Sequence, residues 1–201
     1  MPVAVNPTDL NIPQAQRLEH FVKYGALTYP SRTAVTYYVE GKSHSLSYSD
    51  LWDRVRRVAS VLRQHIPIDG PTPFVQLFLP NGPDQIVATL ATLLAGAAFV
   101  PLALDSPPSW CQALHKQTCS NIFITESTLK DDLFRLLTSA GIECPIIYDV
   151  NCIECYAASS PVSHEVSHVV SRGVSTTDPA YVLFSSGTTG VFYWIAQSSI
   201  R

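Results

Sequence analysis

Charge is what this sequence has least of. Only 14% of its 201 residues are Asp, Glu, Lys or Arg, against about a quarter in ordinary soluble domains. The 13 basic and 16 acidic residues leave a net charge of −3. No basic stripe runs along the chain, which argues against nucleic acid or an anionic membrane surface as a partner. The opening MPVAVNPTDLNIPQ has neither a basic n-region nor a long apolar core, so no secretory leader is expected. The five cysteines are an odd number, which speaks for reduced thiols rather than a disulfide framework. These absences together predict a soluble, cytoplasmic protein.

Apolar residues make up 46% of the chain, and the mean hydropathy is positive. Such a balance fits either a piece whose surface is covered by further polypeptide or a poorly soluble one. The uncharged run Ile86–Leu104 is nineteen residues long, enough in principle to span a bilayer. It divides at Gly96, contains Pro101 and has no flanking basic cluster, so it reads as a buried helix followed by a buried strand. Cys111, His115 and Cys119 share a helical spacing, and Cys152 and Cys155 form a C-x-x-C pair. No second pair follows at zinc-finger distance, and free cysteine commonly behaves as a small buried hydrophobe. Neither set is read as a metal site.

Hydrophobic periodicity predicts a helix over 15–27 with Leu18, Phe21 and Val22 on one face, and a strand over 34–39. A turn at Glu40-Gly41-Lys42 then leads to a second strand around 45–48, making a hairpin. Ser47 and Asp50 form a capping-box-like start for a helix with a Leu51, Val55, Val58 and Leu62 stripe, ending near Ile66. Arg54, Arg56, Arg57 and Arg63 fall outside that stripe and are expected on a solvated face. Strands over 74–79, 97–102, 121–125 and 145–148 alternate with helices over 83–94, 107–115 and 129–139. Residues 156–177, without periodicity, read as a surface loop. A strand over 181–184 closes the series. The alternation predicts an α/β fold with a mostly parallel sheet covered by helices.

The most informative stretch is Tyr181-Val182-Leu183-Phe184-Ser185-Ser186-Gly187-Thr188-Thr189-Gly190. A short β-prone run ends in six hydroxyl and glycine residues. Glycine lets backbone N–H groups turn toward one point, and hydroxyls add donors there, a combination suited to phosphate. The glycines are three apart and no lysine follows, so this is not the GxxxxGK[ST] loop. Taken alone, the stretch is equally a strand and a polar turn. In an open α/β sheet, ligands sit outside the carboxyl ends of strands, where residues 185–190 emerge.

The letter order resembles the phosphate-binding signature of the AMP-forming, adenylate-forming enzymes, which include acyl-CoA synthetases, nonribosomal peptide synthetase adenylation domains and luciferases. Two further segments agree in order and spacing. Leu46-Ser-Tyr-Ser-Asp-Leu51 resembles an early family element, and Leu94-Ala-Gly-Ala-Ala-Phe-Val-Pro-Leu102, reaching Asp105-Ser-Pro107, resembles a second. The small, apolar form of the second is closer to the peptide-synthetase-like branch. The resemblance spans about residues 17–190. It implies a tail over 1–14, part of the large AMP-binding domain over 15–190, and a tail over 191–201 that resembles nothing in the family.

The resemblance implies that Ser185, Ser186, Gly187, Thr188, Thr189 and Gly190 hold the β- and γ-phosphates of ATP with Mg2+. It further implies a carboxylic or amino acid as substrate, and CoA or carrier-domain phosphopantetheine as the thiol acceptor. No catalytic residue and no metal ligand is assigned. In the family the loop is followed by a residue, a proline and a lysine, whereas here Val191-Phe-Tyr-Trp194 follows. The chain is therefore expected to be a truncated N-terminal fragment, catalytically incomplete alone. The alternatives are a non-enzymatic phosphate- or nucleotide-binding module, and an interaction fragment that pairs through an unfinished sheet edge.

Overall fold

The computed structural model describes residues 17–152, 173–175, 178–186 and 192–198, the last seven and residues 184–186 by backbone alone. The first helix, α1, is Leu18–Thr28. Its inward face only partly matches the expected apolar one: Val22 packs against the core, but Leu18 is 47% and Phe21 40% exposed while Glu19 is 1% exposed. Two close contacts set this rotation. The Arg17 guanidinium lies 2.5 Å from the Glu19 carboxylate, although neither Glu19 oxygen meets hydrogen-bond geometry. Pairing of this kind offsets the cost of burying a carboxylate. Six residues along the helix, Gly25 lies under Tyr48 so closely that a Cβ would fall 2.4 Å from the tyrosine ring.

β1 (Thr33–Val39) and β2 (Lys42–Ser47) form the expected hairpin as a separate two-stranded sheet. Val39 pairs with Lys42, leaving Glu40 (φ 49°) and Gly41 (φ 77°) as a two-residue turn with both φ values positive. This is the conformation that matches strand twist in tight hairpins. Ser47 then caps α2 (Tyr48–Leu62): its Oγ accepts from the Asp50 N–H at 3.1 Å and donates to the Asp50 carboxylate at 2.7 Å. The stripe Leu51, Val55, Val58 and Leu62 is buried as its spacing predicts.

The main sheet contains β3 (Phe74–Leu77), β4 (Ala98–Pro101), β5 (Ile122–Thr125), β6 (Ile146–Asp149), β7 (Pro179–Ser186) and β8 (Phe192–Ser198). Their order is β6-β5-β3-β4-β7-β8. The first five in that order are parallel, and β8 runs antiparallel to β7. α3 (Pro83–Ala95) joins β3 to β4, α4 (Pro108–Thr118) joins β4 to β5, and α5 (Lys130–Ser139) joins β5 to β6. Val75 and Leu77 meet α2 and α3 on one face, while Phe78 and Phe123 meet α4 and α5 on the other. The chain moves from β3 to β4 in one direction and back across β3 to β5 in the other. Right-handed crossovers in opposite directions put their helices on opposite faces. Among the described residues no helix is long and apolar enough to cross a membrane.

The basic face expected on α2 is only partly solvated. Arg54 reaches across to Asp84 of α3 at 2.7 Å, and Arg63 donates to the Leu94 carbonyl at 2.8 Å. Arg17 donates to the adjacent Leu93 carbonyl. Two guanidinium groups thus satisfy the open carbonyls and negative dipole end of α3. Burial and the nearby Arg17 both lower the Arg63 pKa. Just beyond, Gly96 adopts φ 93° and returns its N–H to Leu93, with Ala97 bonding Thr92. This left-handed cap requires glycine and turns the chain directly into β4. The uncharged run Ile86–Leu104 is therefore a helix and a strand.

Residues 153–172, which hold most of the expected surface loop, lie outside the described residues. The β-prone run after Gly190 is realised as β8, with seven residues paired to β7.

The Gly25–Tyr48 contact generates a prediction. Ala at position 25 improves helix propensity but forces the Tyr48 ring to move. Gly25→Ala is expected to destabilise the protein by about 1–3 kcal/mol in urea unfolding. Tyr48→Ala in the same chain should remove most of the clash, giving a non-additive double-mutant cycle.

Candidate functional site

β7 carries the chain to the carboxyl edge of the parallel sheet. Phe99 of β4 is level with Tyr181, and the two rings stack with centroids 5.6 Å apart. The strand extends two residues further than its apolar run, because Ser185 pairs with Tyr193 and Ser186 with Phe192 of β8. Ser185 and Ser186 are therefore strand residues, whereas the sequence reading began the loop at Ser185. Pairing with β8 supplies the backbone partners that prolong β7. The five residues 187–191 link two antiparallel strands. Gly187, Thr188, Thr189 and Gly190 lie outside the described residues. The segment Val191–Gln197 contains no lysine or arginine.

Parallel pairing brings the ends of the other strands to the same edge. β3 leaves through Asn81-Gly82 into the N-terminus of α3, which starts with Pro83 at its first position. β6 ends in Asp149, which is 8% exposed. Burial alone would raise its pKa, but hydrogen bonds from the Ser127 hydroxyl and from the Cys152 and Asn151 N–H groups outweigh this and hold it below the usual carboxylate value. The Asn151 and Cys152 amides approach Asp149 Oδ1 at 3.0 and 3.4 Å. Asp149 thus ties the exits of β5 and β6 together. Sequence reasoning missed it, although an aspartate closing a β-prone run is a familiar capping signal.

Cys111, His115 and Cys119 do not converge on one point. Cys111 is buried among Leu114, Phe123 and Leu133, and burial pushes its thiol up to about 11. His115 Nδ1 lies 2.9 Å from the Ser120 carbonyl oxygen, while Cys119 is exposed. Cys152 is exposed, and Cys155 lies outside the described residues. Among the described residues no three His, Cys, Asp or Glu side chains could hold a metal ion together. A cavity of about 400 Å³ opens at the opposite, amino edge, lined in part by His65, Phe74, Thr118, Ser120 and Ile146. Two of its hydroxyls are engaged internally: Ser120 donates to the Phe74 carbonyl at 2.7 Å and Thr118 to the Leu114 carbonyl at 2.8 Å.

Two predictions follow from these environments. Because folding lowers the Asp149 pKa, its contribution to stability is complete above the unfolded carboxylate range, about pH 4. It disappears as pH falls through the lower folded value. Asp149→Asn should cost about 1–2 kcal/mol at neutral pH, and its unfolding curve should converge on the wild type in acid. For the thiols, iodoacetamide with peptide mapping should label exposed Cys119, Cys144 and Cys152 in the native protein. Cys111 should react only after unfolding.

The profile described as AMP-binding enzyme matches residues 22–191, ending where β8 begins. Among curated proteins, the chain is 27% identical over 180 residues to nonribosomal peptide synthetase sidN of Epichloe festucae strain Fl1, covering 87% of this chain and 4% of that one. It is 32% identical over 173 residues to the NRPS-like oxidoreductase fscA of Fusarium equiseti, covering 86% of this chain and 15% of that one. The chain thus spans a small part of these relatives' lengths. Among solved structures, the L. pneumophila fatty acyl-adenylate ligase in complex with acyl adenylate and pyrophosphate superposes with a TM-score of 0.70 at 20% identity, over 92% of this chain and 31% of that one. The Klebsiella oxytoca NpsA N-terminal subdomain in complex with 3-hydroxybenzoyl-AMSN gives a TM-score of 0.68 at 16% identity, over 91% of this chain and 41% of that one. These two likenesses concern the fold. The profile match across most of the length decides the rest: the chain belongs to the AMP-binding enzyme family.

Proposed function

We propose that this chain supplies the phosphate-binding part of an ATP-dependent, carboxylate-activating unit. One observation carries the reading. β7 delivers Ser185 and Ser186 to the carboxyl end of a parallel sheet, within the span of the AMP-binding match. Ligands of open α/β sheets bind at that end.

In the proposed reaction a carboxylate oxygen attacks the α-phosphorus of ATP. The bond from that phosphorus to the bridging oxygen breaks, and pyrophosphate leaves with its electron pair. The product is an acyl adenylate. A thiolate, from CoA or a carrier phosphopantetheine, then attacks the acyl carbon and AMP departs. Ser185, Ser186, Thr188 and Thr189, with the backbone N–H groups of Gly187 and Gly190, hold the β- and γ-phosphates by hydrogen bonding. They take no proton and form no bond to substrate. Their contribution is positioning and charge stabilisation, which dominate phosphoryl-type chemistry. Mg2+ would supply charge neutralisation on the phosphates, and no residue of this chain is assigned to it. The substrate is a carboxylic or amino acid, and the setting is cytoplasmic.

One feature favours a second reading. The loop lacks a following cation, since Val191–Gln197 is uncharged. A phosphate cradle built from hydroxyls and amides alone binds nucleotide without completing transfer. ATP–pyrophosphate exchange with a panel of carboxylic acids separates the two. We expect residues 1–201 to bind ATP in calorimetric titration, with affinity falling about tenfold or more in Gly187→Val and Thr188→Val, and to show no exchange alone. Robust exchange would contradict the incompleteness of the chain. Binding unaffected by either substitution would contradict the loop assignment.

A further inference from the structure

The two edges of the main sheet are built differently. β6, at one edge, is four residues long, is entered through Pro145 and ends in Asp149. β8, at the other, is seven residues long and holds no charge, proline or glycine. Its register with β7 runs unbroken from Phe192 opposite Ser186 to Gln197 opposite Tyr181, and the single irregularity falls on the β7 side between Pro179 and Tyr181. In an antiparallel ladder, alternate residues direct their N–H and C=O groups to opposite sides. Half of the β8 backbone groups therefore face β7 and the other half face outward. Natural edge strands are kept apart by shortness, charge, proline or bulges. β6 uses three of these devices and β8 none.

We propose that the outer edge of β8 pairs antiparallel with β8 of a second copy of this chain. The sequence of the strand argues for self-pairing. Phe192-Tyr-Trp194 is bulky and aromatic, Ala196-Gln-Ser198 is smaller, and Ile195 stands between them. A two-fold axis at Ile195 sets Phe192 opposite Ser198, Tyr193 opposite Gln197 and Trp194 opposite Ala196. Every aromatic residue then meets a smaller one, whereas parallel in-register stacking would set aromatic on aromatic. The strand has no charge to select an oppositely charged partner and none to repel its own copy. Isologous pairing consumes both β8 edges and, among the described strands of the main sheet, leaves the protected β6 edges. Assembly stops at a dimer in which two six-stranded sheets become one. This interface is independent of nucleotide binding.

Sedimentation velocity over a range of protein concentration tests the proposal, with Ile195→Lys and Ile195→Glu as probes and circular dichroism as the control for folding. The wild type should pass from monomer to dimer and no further. Each variant alone sets like charges against each other at the axis and should remain monomeric. Mixing the two should restore the dimer. A wild type that stays monomeric, forms larger open-ended species, or dimerises equally well as Ile195→Lys overturns the proposal. Hydrogen exchange on the wild type decides the matter even where the variants do not fold. Amides of 192–198 should gain protection with rising protein concentration while those of β6 do not, and concentration-independent exchange in β8 overturns it.

Discussion

Everything in this fold depends on the requirement that a parallel sheet be covered on both faces. Parallel strands cannot be joined by tight turns, so α3, α4 and α5 carry the chain back from β3 through to β6, and each must bury one face on the strands. Reversing direction after β4 places α3 on one side of the sheet and α4 and α5 on the other. The same requirement collects every parallel strand's carboxyl end on a single edge. That edge receives Ser185 and Ser186, the N-terminus of α3 and Asp149. The opposite edge receives the helix C-termini and a cavity in which the Thr118 and Ser120 hydroxyls are already engaged.

Polar contacts fix how the covering layer sits. α1 and α2 reach α3 through three arginines: Arg54 to Asp84, Arg17 to the Leu93 carbonyl and Arg63 to the Leu94 carbonyl. Two of these act at the end of α3, immediately before Gly96 reverses the chain into β4. The position of β4 in turn sets that of β7, through the level pairing of Phe99 with Tyr181. A chain of contacts therefore runs from the first helix to the strand that presents the candidate loop. Gly25 beneath Tyr48 belongs to the same layer, and it gives the tyrosine of Leu46–Leu51 a packing reason to be there.

Much of this was legible in the sequence where a single local rule decides. The Ser47 cap, the Leu51–Leu62 stripe, the Gly96 stop and the turn at Glu40-Gly41, which the reading extended to Lys42, are each set by backbone geometry or periodicity over a few residues. The misreadings share a different cause. Leu18 and Phe21 looked like a buried stripe, but the rotation of α1 is set by Tyr48, far along the chain, and by Arg17, which holds Glu19 and reaches the Leu93 carbonyl at the end of α3. Arg54 and Arg63 looked solvated for the same reason, since their acceptors are thirty and thirty-one residues away. The capping position of Asp149 was available to the sequence reading, but its link to Ser127, on another strand's exit, was not. At the loop, the letters from Tyr181 to Gly190 carried the family. The extension of β7 through Ser186 was not legible, because it comes from pairing with β8, a segment outside the family match.

The central claim is that ATP phosphates bind at the carboxyl edge, on residues 185–190. Photolabelling with an ATP analogue carrying a photoreactive group on its γ-phosphate, followed by peptide mapping, tests this most directly. The account predicts cross-links within the peptide containing Ser185–Gly190, abolished by excess unmodified ATP. Competable labelling confined to the amino-edge cavity, at His65 or Ser120 and their neighbours, would contradict it.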